Sequence, residues 1–257
     1  MATRPARTAY PTEVEAREGA PATHEDWRGR TQIFLQPMAA PSILGLFGFA
    51  GATMMVGAWQ AGWYGGTNSG ILIFPFALTF GGIAQFLAGM WSYKARDGLA
   101  TAMHGMWGSF WIAFGLLFGL IDGHVFPVAL QPKFGTVNPT FAFWFVVLCV
   151  ITLLGAVAAL AENLGLASVL WTLAAGSGLT AVGFFSGNLT VTQIGGWLFV
   201  ISAALAVYTA GAMMLEGTFR RTILPLGKYS KAANIPGRQL TYPIEFEHGE
   251  PGVRAGQ

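Results

Sequence analysis

Two long stretches of this chain, residues 31–93 and 163–215, contain no Asp, Glu, Lys or Arg. Those four residue types almost always stay in water, and a folded domain needs them to cover an aqueous surface. Lipid is therefore the solvent for most of the chain. Charged residues make up 10% of the sequence, where a soluble domain carries about 25%. The charges gather at the two ends and in short connecting segments, so their placement says more than the net +2. Cys149, the only cysteine, lies inside an apolar run, which excludes an intramolecular disulfide and a cysteine metal site.

A helix needs roughly 20 mostly apolar residues to cross about 30 Å of hydrocarbon. Six segments meet that requirement: 41–62, 71–93, 99–121, 139–160, 166–186 and 194–215. Turn and cap chemistry lies between them, in Gly65-Gly66-Thr67-Asn68-Ser69, Lys94 to Gly98, Asp122 to Asn138, Glu162-Asn163 and Gly187-Asn188. The expected fold class is an all-α membrane protein, a six-transmembrane-helix bundle over residues 33–217. Residues 1–32, mixed in charge and interrupted by Pro5, Pro11 and Pro21, read as a disordered cytoplasmic tail. No apolar stretch of the kind a signal peptide carries appears before Ile33. Residues 218–257 form a second cytoplasmic tail, of which Thr218 to Gly227 is expected to pack under the bundle.

Cations near the spans set orientation by the positive-inside rule. Arg4, Arg7, Arg17, Arg28 and Arg30 precede the first span, Lys94 and Arg96 follow the second, and Arg220, Arg221, Lys228, Lys231, Arg238 and Arg254 follow the sixth. With both ends cytoplasmic, only Lys133 falls outside; the expected location is the inner or plasma membrane.

The spans hold small residues at helical spacing: Gly45, Gly48 and Gly51; Ala77, Gly81, Ala84 and Ala88; Gly115 and Gly119; Ser202, Ala206 and Ala210. Lipid offers no hydrophobic drive for helix association, so close backbone approach at such faces must supply it. Asp97, Asp122, Glu162 and Glu216 sit at span edges, so a mid-membrane carboxylate relay is not expected. What remains inside is neutral: Thr53, Thr79, Gln85, Ser109, Thr172, Ser177, Thr180 and Ser202, with His104 early in the third span. Such hydroxyls and amides ordinarily bond the backbone or join helices. Together they can replace part of a small anion's hydration shell. His104 titrates near neutrality if water reaches it. With no H-E-x-x-H, G-x-S-x-G, P-loop or dinucleotide fingerprint present, neither an enzyme nor a cofactor is expected.

Three stretches resemble the acetate uptake transporter family. They are Phe80-Gly81-Gly82-Ile83-Ala84-Gln85-Phe86-Leu87-Ala88-Gly89, running on to Tyr93-Lys94 and Gly108-Ser109-Phe110-Trp111; Phe219-Arg220-Arg221-Thr222-Ile223-Leu224-Pro225-Leu226-Gly227; and Ala40-Pro41-Ser42-Ile43-Leu44-Gly45-Leu46. The last is similar to a degenerate form of the signature Asn-Pro-Ala-Pro-Leu-Gly-Leu, with Ala40 in place of Asn and Ile43 in place of the second Pro. The resemblance implies a homo-hexamer of six-helix protomers, each with its own pore for acetate and related small carboxylates, succinate among them. It implies no cofactor, no metal and no nucleic-acid partner. It places the pore constriction at Phe49, Trp107 and Leu173, with Trp where Tyr is usual. Pro41, Leu44, Gly45, Thr53, Gln85, His104, Ser177 and Thr180 are the expected pore-lining or substrate-binding residues. An apolar ring of that kind gates by exclusion of water and ions. The Trp107 indole N–H is expected to donate to a passing carboxylate, and helix starts near Pro41 and Pro139 to attract it. The rival expectation is a membrane carboxylate sensor or scaffold that signals through its tails and conducts nothing.

Overall fold

The computed structural model describes residues 39–66 and 69–228. The tail expected over 1–32, and the second tail beyond Lys228, lie outside the described residues.

Within that body six helices are long and apolar enough to cross a membrane: α1 (Pro41–Gln60), α2 (Ser69–Ala95), α3 (Gly98–Asp122), α4 (Pro139–Ala159), α5 (Leu164–Ser186) and α6 (Leu189–Phe219). Each is apolar on all sides, as a helix surrounded by lipid and other helices must be. The first-turn N–H groups of such a helix have no partner within it. Four helices satisfy one of them with a side chain. Asp97 accepts from the Ala100 N–H at 2.8 Å, Asn138 from Phe141 at 3.0 Å, Asn163 from Leu166 at 2.8 Å and Asn188 from Val191 at 3.2 Å. The remaining two begin differently, α1 with Pro41 in its first turn, where a missing N–H costs nothing. At the end of α5, Gly187 turns the chain at φ +67°, and a Cβ there would lie 3.0 Å from Val137 Cγ2.

α6 starts at Leu189, five residues earlier than the expected start at 194. The segment Leu189-Thr190-Val191-Thr192-Gln193 is too polar and β-branched to read as a span. The Asn188 cap initiates helix there, and Thr192 Oγ1 donates back to the Asn188 carbonyl at 3.0 Å. At its other end α6 runs to Phe219, four residues past the expected end at 215.

Successive helices pack side by side in chain order, and α6 closes back onto α1, so the six form a ring. The seam between α3 and α4 is made by Trp107 against Thr152 and by Phe110 against Trp144 and Phe145, the rings 5.1 and 5.6 Å apart. α2 is not a uniform α-helix. Pro75 cannot donate to the preceding turn, and residues Ala77–Ala84 wind as a π-helix immediately after it. Thr79 Oγ1 donates to the Pro75 carbonyl at 2.9 Å. The Gly81-Gly82 pair sits in this wide turn. A Cβ on Gly81 would lie 2.5 Å from Ala52 Cβ and 2.6 Å from Trp111 Cγ, so only glycine lets α1 and α3 close on α2 here. The π turn ends at Ala84 and delivers Gln85 to the interior, 2% exposed.

The carboxyl segment packs under the bundle as expected. Leu226 is buried, and its carbonyl accepts from the Gly165 N–H at 3.0 Å while that of Gly227 accepts from Leu164 at 3.2 Å. Tyr208 donates to the Pro225 carbonyl at 2.7 Å, and Lys228 pairs with Glu216 at 2.8 Å. The start of α5 is thereby held from below.

Candidate functional site

Ser42, Leu46 and Phe49 recur at three and four residues along α1, which puts them on one face of that helix. On α3 the matching face carries Ala100, Met103, His104 and Trp107, and on α5 it carries Leu166, Val169, Leu170 and Leu173. These faces, with Gln85 from α2, enclose a cleft of about 430 Å³ that begins beside Asp97 and Leu99. Phe49, Trp107 and Leu173 form its inner end. Phe49 and Trp107 meet edge to face with ring centres 6.0 Å apart. Beyond them lies a second cleft of about 310 Å³, lined among others by Val56, Trp59, Gln60, Phe110, Phe114 and Phe118, and by Pro132 and Phe134 of the α3–α4 connection. The two clefts approach the same apolar layer from opposite ends of the ring.

Five buried side-chain polar atoms among the described residues have no hydrogen-bond partner: Thr53 Oγ1, Gln60 Oε1, Gln85 Oε1, His104 Nδ1 and Trp111 Nε1. Gln85 and His104 line the first cleft and Gln60 the second, and Thr53 lies on α1 between Phe49 and Val56. An unpaired buried polar group costs about 1–3 kcal/mol, so native folds rarely keep one without a use. Three of them thus line the clefts, two with amide oxygens that only accept hydrogen bonds and one with an imidazole nitrogen.

Of the residues predicted from sequence, Phe49, Trp107, Leu173, Gln85 and His104 are brought together on the first cleft. Gly45 lies behind His104, and a Cβ there would come within 2.5 Å of the imidazole. Ser177 and Thr180 are buried in helix contacts: Ser177 Oγ donates to the Leu173 carbonyl at 2.9 Å, and Thr180 Oγ1 accepts from Gln60 Nε2 at 2.7 Å. Pro41 opens α1 and is not part of the cleft wall. Leu44 must be corrected. It is 49% exposed on the outside of α1, because the lining residues Ser42 and Leu46 turn the intervening position away.

A second correction concerns the Trp107 N–H. It donates to Thr152 Oγ1 on α4 at 2.9 Å, so it is engaged across the α3–α4 seam and presents no donor to the cleft. Thr152 was not singled out in the sequence, where one threonine in an apolar run carries no signal. Gln60 was also missed; its Nε2 further donates to the Thr192 carbonyl at 2.8 Å. Asp97 is the third omission. Burial raises its carboxyl above the ordinary carboxylate range, against the backbone hydrogen bonds from Ala100 and Leu99. Glu162, in the α4–α5 connection, is raised to about 7 by burial and secondarily by the charge of Asp97.

The fold defines a multi-pass membrane protein of six helices with two separate clefts among them. The family model of the GPR1/FUN34/yaaH family matches residues 28–226, and the chain belongs to that family. It is 30% identical over 195 residues to the succinate-acetate/proton symporter SatP of Escherichia coli K12, spanning 74% of this chain and 96% of that protein. It is also 28% identical over 178 residues to the ammonia transport outward protein 2 of Saccharomyces cerevisiae, spanning 68% of this chain and 61% of that one. Among solved structures it is similar to the bacterial acetate channel SatP, with a TM-score of 0.66 and 26% identity over 74% of this chain and all of the other.

Proposed function

We propose that the chain is a channel or permease for acetate and related small carboxylates, working through the two clefts and the Phe49, Trp107 and Leu173 layer between them. The observation that carries this reading is the Phe49, Trp107 and Leu173 layer on the first cleft, with a second cleft farther along α1 and α3, in a chain similar to the acetate channel SatP. Moving a bare carboxylate into a low-dielectric interior costs several kcal/mol even after relaxation. A short dry section limits that cost. Of the unpaired groups, the Thr53 hydroxyl and the His104 imidazole can donate to the anion, whereas the free amide oxygens of Gln60 and Gln85 only accept and suit a protonated acid. Acetate presents a methyl group to the aromatic edges, whereas succinate carries a second carboxylate through the same gap. Acetate is therefore the preferred substrate and succinate the poorer one.

The first cleft opens toward the side where α1 begins and α6 ends. By the distribution of Lys and Arg that side is cytoplasmic, and the protein sits in the inner or plasma membrane with both termini inside. Assembly as a hexamer, one pore per protomer, belongs to the same proposal. The deciding experiment is uptake of labelled acetate by proteoliposomes, with and without an imposed pH gradient. Flux above that of empty liposomes is expected. Its absence in a correctly folded preparation would favour a sensor or scaffold and refute transport.

A further inference from the structure

We propose that residues 225–228 are a positioning strap for the first cleft, locked by the Glu216–Lys228 ion pair: they seat the start of α5 and so fix the wall that Leu166, Leu170 and Leu173 supply. The functional weight of the strap rests on the reading of that cleft as part of a carboxylate path.

The start of α5 needs partners from outside. The first N–H groups of a helix have none within it, and the Asn163 side chain satisfies only that of Leu166. The N–H groups of Leu164 and Gly165 donate instead to the carbonyls of Gly227 and Leu226, at 3.2 and 3.0 Å. Among the described residues no other helix has first-turn N–H groups bonded to carbonyls of a distant segment. Leu166, next in the chain after Gly165, lines the cleft. Leu173 of the constriction follows seven residues later, about 10 Å along the helix. A shift of the strap is therefore a shift of the cleft wall.

The strap is shaped for this seat. Leu226 is 4% exposed, and its Cδ2 lies 3.0 Å from where a Cβ on Gly165 would stand, with Thr209 Oγ1 of α6 at 3.2 Å from the same point. Gly227 turns at φ +65°, and a Cβ on it would lie 2.9 Å from Leu164 Cβ. A side chain at either glycine would push strap and helix apart. Tyr208 of α6 donates to the Pro225 carbonyl at 2.7 Å and holds the near end. Lys228 holds the far end twice. Its backbone pairs with the cap residue Asn163 in an antiparallel bridge, and its ammonium donates to both carboxylate oxygens of Glu216, at 2.9 and 2.8 Å. One residue thus ties the cap of α5 to the end of α6. The two side chains are 23% and 30% exposed, so water reaches the lock and it can open without unfolding the bundle.

Two measurements on the full-length protein in liposomes test the strap without relying on flux. One is hydrogen exchange at the start of α5. The other is the rate at which a small thiol reagent labels Ser42→Cys, on the α1 wall of the cleft, in a Cys149→Ser background. Lys228→Met should speed exchange at residues 164–166 by about two- to fivefold, and Leu226→Ala by about thirtyfold or more, with the second half of α5 unchanged. Labelling at position 42 should quicken in the same order. Lys228→Arg, and the charge exchange Glu216→Lys/Lys228→Glu, should return both rates toward those of the wild type. Wild-type exchange at the start of α5 in both Lys228→Met and Leu226→Ala overturns the strap. Faster exchange with unchanged labelling overturns its hold on the cleft, and failure of both rescues overturns the ion pair as its lock. Acetate uptake measured alongside separates the two readings: a preparation that transports no acetate refutes the carboxylate path, while exchange and labelling still decide the strap.

Discussion

Replacing Leu173 with alanine opens the α5 side of the constriction and leaves the Trp107–Thr152 hydrogen bond untouched. Leu173 is 1% exposed, so the substitution should also cost about 2–5 kcal/mol of stability. That loss is spread over a ring of six packed helices and should appear as a lower unfolding temperature with the fold retained. The effect on selectivity is separable from it. In the wild type the second carboxylate of succinate has to shed water to pass the Phe49, Trp107 and Leu173 layer, which costs at least the about 1–3 kcal/mol of a neutral buried polar group without a partner. If the wider gap lets water accompany it, that penalty disappears; at about 1.4 kcal/mol per factor of ten, the acetate-to-succinate flux ratio should fall 5- to 150-fold. Labelled acetate and succinate uptake by proteoliposomes, at matched protein amounts, measures the ratio. Trp107→Ala should act in the same direction, and Trp107→Tyr to a smaller extent. Ratios unchanged in both alanine variants would show that these side chains do not form the selectivity gate.

Thr152→Val keeps the volume at the seam but leaves the Trp107 N–H without its acceptor, which should cost about 1–3 kcal/mol in unfolding free energy and loosen the flux ratio; higher acetate affinity instead would mean that the freed N–H serves the anion. Gly45→Ala brings a Cβ to 2.5 Å from the His104 ring and should reduce acetate flux, with the Gly45→Ala/His104→Ala double variant recovering it; a double variant no better than the single one would place the obstruction elsewhere. Glu162 holds its proton more tightly in the folded state than in the unfolded chain, where it titrates near 4.5, so its contribution to stability is present below about 4.5 and is lost as pH rises through about 7. The unfolding temperature should therefore decline across that window and decline less in Glu162→Gln; equal slopes would remove Glu162 as the cause. In a Cys149→Ser background, single cysteines at Ser69 or Lys133 should react with an impermeant reagent outside and one at Arg96 should not, and reversed labelling would overturn the orientation.

The six spans were legible because long charge-free runs leave few alternatives, and the helix starts at Asn138 and Asn163 because capping is a local property of two or three residues. The π segment was not. Pro75, Thr79 and the Gly81-Gly82 pair each have ordinary readings in a membrane helix, and the close approach of Ala52 and Trp111 that requires glycine at 81 is visible only in the packed bundle. Rotation of each helix about its own axis was the larger gap. A soluble helix shows its inward face as an apolar stripe, but a span that is apolar all round shows none. Leu44 was therefore assigned inward although it faces out, and the Trp107 N–H was assigned to the cleft although it points across to Thr152. Asp97 was passed over for a related reason. Charge is most expensive at span centres, and Asp97 lies at a span edge. A cleft that opens at a helix end brings the N-cap onto its wall, so the residue that starts α3 is also the first that an entering solute meets.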